Sequence, residues 1–186
     1  MTTTTLARSA RSAFTLLELV ITLTILVVAG SMLVRTVIGV GKVEQTNSDT
    51  SRAMRACRNV CESLNSGQFG QIFARYNADG QDDPGGVDSA PGATFQVPGL
   101  TVRPDDADGF VGSIAFPTNG DELREDFVDP RMGMPRDLNG DGAIDAANHA
   151  GDYIILPFRV RLEWRGSGGD RVFELYSAAA EHRWAP

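Results

Sequence analysis

Residues 13–34 read AFTLLELVITLTILVVAGSMLV, an apolar run interrupted by a single carboxylate, Glu18. A stretch of about 20 mostly apolar residues is long enough to cross a bilayer as a helix. An ionised glutamate inside such a helix is costly, so it indicates a function that involves a charged partner. The alternative is a helix that tolerates one acid near its end because the side chain reaches the membrane surface.

The polar segment 1–13 precedes this run and carries Arg8 and Arg11 but no acid. A basic flank stays in the cytoplasm, so we expect the C-terminal side of the helix to be exported. A secretory signal peptide has its cleavage site after the apolar core. Here the small residue Ala13 comes before the core, so a cut between Ala13 and Phe14 would leave the helix on the mature chain.

The motif at 13–19, AFTLLEL, resembles the N-terminal motif of type IV prepilins and of the pseudopilins of type II secretion systems. The resemblance implies that prepilin peptidase cuts between Ala13 and Phe14 and that the new N-terminus at Phe14 is methylated. Glu18 is then the acid at the fifth mature position. The family usually has Gly before the cut, so Ala13 predicts slower processing, and major pilins often have Pro where this chain has Arg35.

The resemblance also implies the partners of the helix. They are the lipid bilayer, prepilin peptidase, an inner-membrane assembly platform and other pilin or pseudopilin subunits, one of which would offer the α-amino group of Phe14 to Glu18. The need for a cation follows from the charge, because pairing offsets much of the cost of burying a carboxylate. We predict a single-pass protein of the bacterial inner membrane with a periplasmic C-terminal domain.

Length and patterning predict one helix and one modest domain in the 186 residues. We expect a leader at 1–13, a transmembrane helix at 14–38, its extramembrane continuation at 39–66 and an exported globular domain at 67–186. The whole helix would have roughly 50 residues, far more than an ordinary globular helix. The expected fold class is α+β and pilin-like, with the long N-terminal helix packed on a small C-terminal antiparallel sheet.

Apolar residues at three- and four-residue spacing predict a stripe on the extramembrane part of the helix, which packs on the sheet. The stripe consists of Met54, Cys57, Cys61 and Leu64, and the helix should end near residues 65–67. An exported location permits a disulfide, but two cysteines four apart on one helix bridge poorly. We interpret them as small packing residues, with a strained redox pair as the alternative.

The net charge of −7 becomes −9 when Arg8 and Arg11 leave with the leader. Nucleic acids and anionic membrane surfaces bind Lys and Arg, so this charge argues against both as partners. The sequence has no nucleophile elbow, phosphate loop or His-containing zinc spacing, so no enzyme is predicted. The two histidines, His149 and His182, are interpreted as surface residues.

Residues 137–145, DLNGDGAID, match the first nine positions of an EF-hand-type calcium loop and resemble the loops of dockerins and similar short modules. Gly142 allows the sharp turn that lets side-chain oxygens converge, and Ile144 is expected to anchor the loop to the core. The predicted calcium ligands are Asp137, Asn139, Asp141, the Ala143 carbonyl, Asp145, Asn148 and Asp152.

The match to a calcium loop weakens toward its end. Asn148 is at the twelfth position, where an EF-hand has a bidentate Glu, and the segment 129–135 before the loop is not a helix pattern. We therefore expect weak affinity, about 10⁻⁴–10⁻³ M as in extracellular modules. A bare acidic turn is the alternative.

The C-terminal residues 158–164, FRVRLEW, alternate apolar and charged side chains, which predicts a strand with one buried face. The glycine-rich stretch 165–170 predicts a hairpin connection to a partner strand at 172–180. Two shorter segments, 94–102 and 110–116, predict edge strands or irregular extended pieces.

Three functions are compatible with these features. The leading hypothesis is a structural assembly subunit, a minor pseudopilin or pilin-like protein of a secretion or pilus-type filament. The second is a calcium-dependent surface or adhesion module exported by the prepilin route, and the third is a membrane-tethered hydrolase. The N-terminal motif serves secretion pseudopili, type IV pili and DNA-uptake filaments alike, so it does not choose among them.

Overall fold

The computed structural model describes residues 15–181 of the chain. The predicted cleavage and methylation site at Ala13 and Phe14 lies outside the described residues and stays a prediction, and His182 also lies outside them. The chain divides into two compact units, with the division between Glu44 and Gln45. Each unit is described by itself below.

The described residues form one long helix, two short helical segments and six strands. Helix α1 spans Leu16–Ser66, a 3₁₀ turn spans Phe69–Gln71, α2 spans Ile72–Tyr76, and the strands are β1 (Thr94–Phe95), β2 (Gly112–Ala115), β3 (Thr118–Asn119), β4 (Glu122–Leu123), β5 (Ile155–Gly166) and β6 (Gly169–Ala180). Helix α1 has 51 residues and ends at Ser66. Its predicted length and its predicted end are both confirmed.

The first unit contains the apolar part of α1, and its side chains there are exposed. This is a helix of sufficient length and apolar composition to cross a membrane, and it is compatible with a single-pass topology. The hydroxyls of Thr22, Thr24 and Thr36 each donate to the backbone carbonyl four residues earlier. The helix thereby satisfies these polar groups internally, as a lipid environment requires.

The remainder of α1 belongs to the second unit, where one side of it enters the hydrophobic core. Ala53, Cys57 and Leu64 are buried in that core, whereas Met54 is 53% exposed. The predicted stripe is therefore wrong at its first position, since the core-facing residue is Ala53. Hydrophobic periodicity favoured the larger residue, but the side of the helix that enters the core carries Ala53 at this point. The thiols of Cys57 and Cys61 are free.

The main sheet has four antiparallel strands in the order β1-β2-β5-β6. The β5–β6 hairpin pairs from Ile155 opposite Ala180 to Gly166 opposite Gly169. Phe158, Val160 and Leu162 on β5 have no exposed surface, which confirms the predicted buried face. The α+β class, with a long N-terminal helix and a C-terminal antiparallel sheet, is confirmed as well.

The segments 94–102 and 110–116 were predicted as edge strands or irregular extended pieces, and only the first contributes an edge strand. Strand β1 is at an edge, but β2 lies inside the sheet, between β1 and β5. Gly112 on β2 is opposite Phe95 on β1, and the Phe95 ring covers the place where a Cβ at Gly112 would be. This cover shields the backbone of β2, so a short glycine-containing segment can occupy an interior position.

Candidate functional sites

The Glu18 side chain is exposed on the first turn of α1. Its backbone N–H is 3.3 Å from Thr15 Oγ1, and its carbonyl accepts from Thr22 Oγ1 at 2.7 Å. Within residues 15–181, no hydrogen bond or ion pair engages its carboxylate. The adjacent Leu17 and Leu19 are 68% and 60% exposed, so the acid is surrounded by apolar side chains that themselves lack cover.

The acidic loop at 137–152 is docked on the domain through backbone hydrogen bonds at both of its ends. The Leu138 carbonyl accepts from the Ile154 N–H at 2.7 Å, and the His149 N–H donates to the carbonyl of Leu123 on β4 at 2.9 Å. Leu138 has no exposed surface, whereas Ile144 is 52% exposed. The expectation that Ile144 anchors the loop was wrong, because Leu138 fills that role.

The first half of the loop folds around the carboxylate of Asp137. This carboxylate accepts backbone hydrogen bonds from Gly140 at 2.6 Å and Gly142 at 2.8 Å. These bonds lower the pKa of Asp137 below its usual value, and the bond from Gly142 has the largest effect. Gly142 has a φ of +89°, so the predicted sharp turn at this residue is confirmed.

Some of the predicted calcium ligands lie together and others do not. The Asn139 amide nitrogen is 3.4 Å from Oδ2 of Asp141 and 3.4 Å from Oδ2 of Asp152, so these three side chains form a cluster. The Asp141 carboxylate also accepts from the Ala143 N–H at 2.8 Å. Asn148 has another role, because its Oδ1 accepts from the N–H groups of Leu123 and Ala150.

Glu125, which no sequence motif indicated, is 1% exposed and organises the loop. Its Oε1 accepts from the N–H groups of Leu138 at 2.6 Å and Asn139 at 3.3 Å. Its Oε2 accepts from the N–H of Asp145 at 3.2 Å. A buried carboxylate needs such donors, and here three backbone groups supply them.

His149 is 3% exposed, so its interpretation as a surface histidine was wrong. Its Nε2 lies 3.1 Å from Oδ1 of Asp145 and 3.7 Å from Oε2 of Glu125, and its Nδ1 lies 3.1 Å from Oδ1 of Asp152. Burial disfavours the imidazolium and is the largest single influence. The hydrogen bonds to Asp145 and Asp152 and the charge of Glu125 together outweigh it, so the pKa of His149 is raised.

Among the described residues, one group has ligand atoms close enough to bind a metal ion jointly: Glu125, Asp145 and His149. One atom from each of the three lies within 4.8 Å of the others. Sequence spacing could have indicated that His149 lies among acids, because Asp145 and Asp152 flank it at four and three residues. Glu125 is 20 residues before Asp145, and no local pattern connects the two.

No family model, curated protein or solved structure matches this chain. The function must therefore be inferred from the chemistry of the sites described above.

Proposed function

We propose that this protein is a structural assembly subunit, a minor pseudopilin or pilin-like protein of a type II secretion or type IV pilus-type filament. The observation that carries the proposal is the position of Glu18. Its carboxylate is exposed on an apolar helix, and no partner engages it within residues 15–181. In this proposal, prepilin peptidase cuts before Phe14, and the new N-terminus is methylated.

The physical reason for assembly is the cost of that carboxylate in lipid. A charged group near the bilayer core is expensive, and a cation close to it offsets much of the expense. Helix α1 offers Glu18 no basic side chain at helical spacing, since Arg35 lies 17 residues further on. The α-amino group of Phe14 on a neighbouring subunit would supply the cation and fix the register between the two helices.

The location proposed for the rest of the chain follows from the same helix. Arg8 and Arg11 would remain in the cytoplasm until processing, and the domain that carries the sheet would be periplasmic. Its proposed partners are other pilin or pseudopilin subunits, the inner-membrane assembly platform and the peptidase. No enzymatic activity is proposed.

The test compares two substitutions of α1 in native membranes. Subunits with a photo-crosslinker at Leu19 are expected to crosslink to neighbouring subunits, and Glu18→Gln should lower the crosslinked fraction at least about tenfold because the ion pair is lost. Thr22→Val is the matched control, since the Thr22 hydroxyl bonds within its own helix. Equal crosslinking of Glu18→Gln and the unsubstituted chain would contradict the proposal. A mature protein that retains Met1 would contradict it as well.

A calcium-dependent surface or adhesion module is the second candidate, because Asn139, Asp141 and Asp152 are clustered. Calorimetric titration of the full chain in detergent with CaCl₂ should give heat that Asp141→Ala abolishes. Asp121→Asn, an exposed acid outside the loop, is the control. Absence of heat would remove the calcium proposal and leave the filament proposal untouched.

A further inference from the structure

We propose that Glu125, Asp145 and His149 form a binding site for a divalent transition-metal ion of the zinc type. The site is independent of the filament proposal, because it lies in the second unit and uses none of the α1 residues. It also differs from the predicted calcium loop in its ligands. Only Asp145 belongs to both sets.

The spacing of the three side chains suits a small tetrahedral ion. Zinc binds imidazole nitrogen and carboxylate oxygen at about 2.0–2.2 Å, so the edges of its coordination tetrahedron are roughly 3.3–3.6 Å long. Nε2 of His149 is 3.1 Å from Oδ1 of Asp145 and 3.7 Å from Oε2 of Glu125. These two distances bracket the expected edge, and the ligand atoms of Asp145 and Glu125 lie within 4.8 Å of each other.

The groups around the site orient its ligands. Asp152 is bonded to Nδ1 of His149 at 3.1 Å and Asp145 to Nε2 at 3.1 Å, and a carboxylate can only accept, so each ring nitrogen donates a proton before a metal binds. A metal ion would displace the proton from Nε2, which faces Asp145 and Glu125, while Nδ1 keeps its bond to Asp152. A carboxylate on the far nitrogen of a metal-binding histidine is a recurrent outer-shell partner. The backbone N–H groups of Leu138 and Asn139 hold Oε1 of Glu125, which leaves Oε2 on the side of the imidazole.

The ligand chemistry distinguishes this ion from calcium. Calcium prefers six to eight oxygen ligands, whereas an imidazole nitrogen suits zinc and neighbouring transition metals, and zinc also binds carboxylate oxygens. Glu125 and His149 are almost fully buried, but the Asp145 side chain is 51% exposed. The exposed side of Asp145 offers the ion an entry path and leaves a fourth coordination position for water.

The experiment titrates the full chain in detergent micelles with CoCl₂ and then displaces the cobalt with ZnCl₂. Bound Co²⁺ should give the intense visible bands of four-coordinate cobalt, and Zn²⁺ should abolish them. His149→Gln and Asp145→Asn should each weaken binding at least about tenfold, and Asp152→Asn about 10- to 100-fold because it positions the imidazole. Matched controls are His182→Gln and Asp121→Asn, an exposed acid outside the loop, which should bind cobalt and zinc like the unsubstituted chain.

If His149→Gln fails to fold, Asp145→Asn still tests the metal site. This variant should fold, because the backbone N–H of residue 145 can still bond Glu125 and the side chain is half exposed. Absence of the cobalt bands, or bands that persist in Asp145→Asn at the original affinity, would overturn the proposal. Thiolate-to-cobalt charge-transfer bands would overturn it too, because they would place the ion at Cys57 and Cys61. Loss of zinc binding in Asp141→Ala would assign the ion to the loop instead.

Discussion

The carboxylate of Glu125 accepts a 2.6 Å hydrogen bond from the backbone N–H of Leu138, thirteen residues further along the chain. Both residues are buried, and the same carboxylate also receives the N–H groups of Asn139 and Asp145. One side chain therefore fixes the first part of the acidic loop to its later part. Because hydrogen bonds to a buried charge are among the stronger ones, Glu125 should contribute strongly to the stability of this domain.

Glu125→Gln should lower the free energy of unfolding by about 2–3 kcal/mol, since the amide nitrogen cannot accept and leaves a buried N–H unpaired. Denaturant unfolding of the full chain in detergent, followed by near-UV circular dichroism, measures the change. Glu122→Gln is the control, because Glu122 is 55% exposed and pairs only at the surface with Arg124. That substitution should cost less than about 0.5 kcal/mol. Equal losses in the two variants would contradict the role assigned to Glu125.

The glycines of the loop should respond to alanine in a definite order. Gly142 has a φ of +89° with open space around it, so Gly142→Ala should cost about 1 kcal/mol from backbone strain alone. Gly140 has a φ of +81°, and a Cβ there would lie 2.6 Å from Cδ1 of Ile154, which must move at an extra cost of about 1 kcal/mol. Gly151→Ala has neither penalty and is the control.

Thermal unfolding of these three variants in the same detergent gives the test. We expect the melting temperature to fall most for Gly140→Ala, less for Gly142→Ala and least for Gly151→Ala. A melting temperature for Gly142→Ala equal to that of the unsubstituted chain would show that the turn tolerates an L side chain.

Local patterns predicted the elements whose structure depends on near neighbours in sequence. The alternation at 158–164 predicted β5, and a helical pattern that continues past the apolar run and stops near residues 65–67 predicted α1. Glu125 was missed because its hydrogen-bond donors are backbone N–H groups 13 to 20 residues away, which no side-chain motif records. The contact of His149 with Glu125 has the same origin, since the two residues are 24 positions apart in the sequence.

The choice of which α1 residues face the core shows a second limit of sequence patterns. Ala53 has no exposed surface, and Met54 is 53% exposed, although Met is the more apolar residue. Ala53→Leu should therefore overpack the core and cost about 1–3 kcal/mol, whereas Met54→Lys should change stability by less than about 0.5 kcal/mol. The same denaturant titration measures both. A larger loss in Met54→Lys than in Ala53→Leu would restore the stripe predicted from the sequence.

The Cys57 thiol gives the domain a specific dependence on alkaline pH. Burial, reinforced by the neighbouring Cys61, raises the pKa of Cys57 from 9.0 to about 12. Between these two values the unfolded chain loses the thiol proton and the folded chain retains it, so the stabilisation is complete below pH 9 and is lost as the pH approaches 12. The unsubstituted chain should therefore lose about 1.4 kcal/mol of stability from this group between pH 8 and pH 10.

Cys57→Ala removes that group and should flatten the pH dependence by the same amount, whatever it costs at neutral pH through its smaller volume. Denaturant unfolding of both proteins at pH 8, 9 and 10 isolates the difference, because the tyrosines titrate equally in the two. Cys57 should also resist iodoacetamide at pH 8 in the folded state, since it is 1% exposed and only the thiolate reacts. Identical pH slopes in the two proteins, or rapid alkylation of Cys57 without unfolding, would mean that this part of α1 does not hold its thiol in the core.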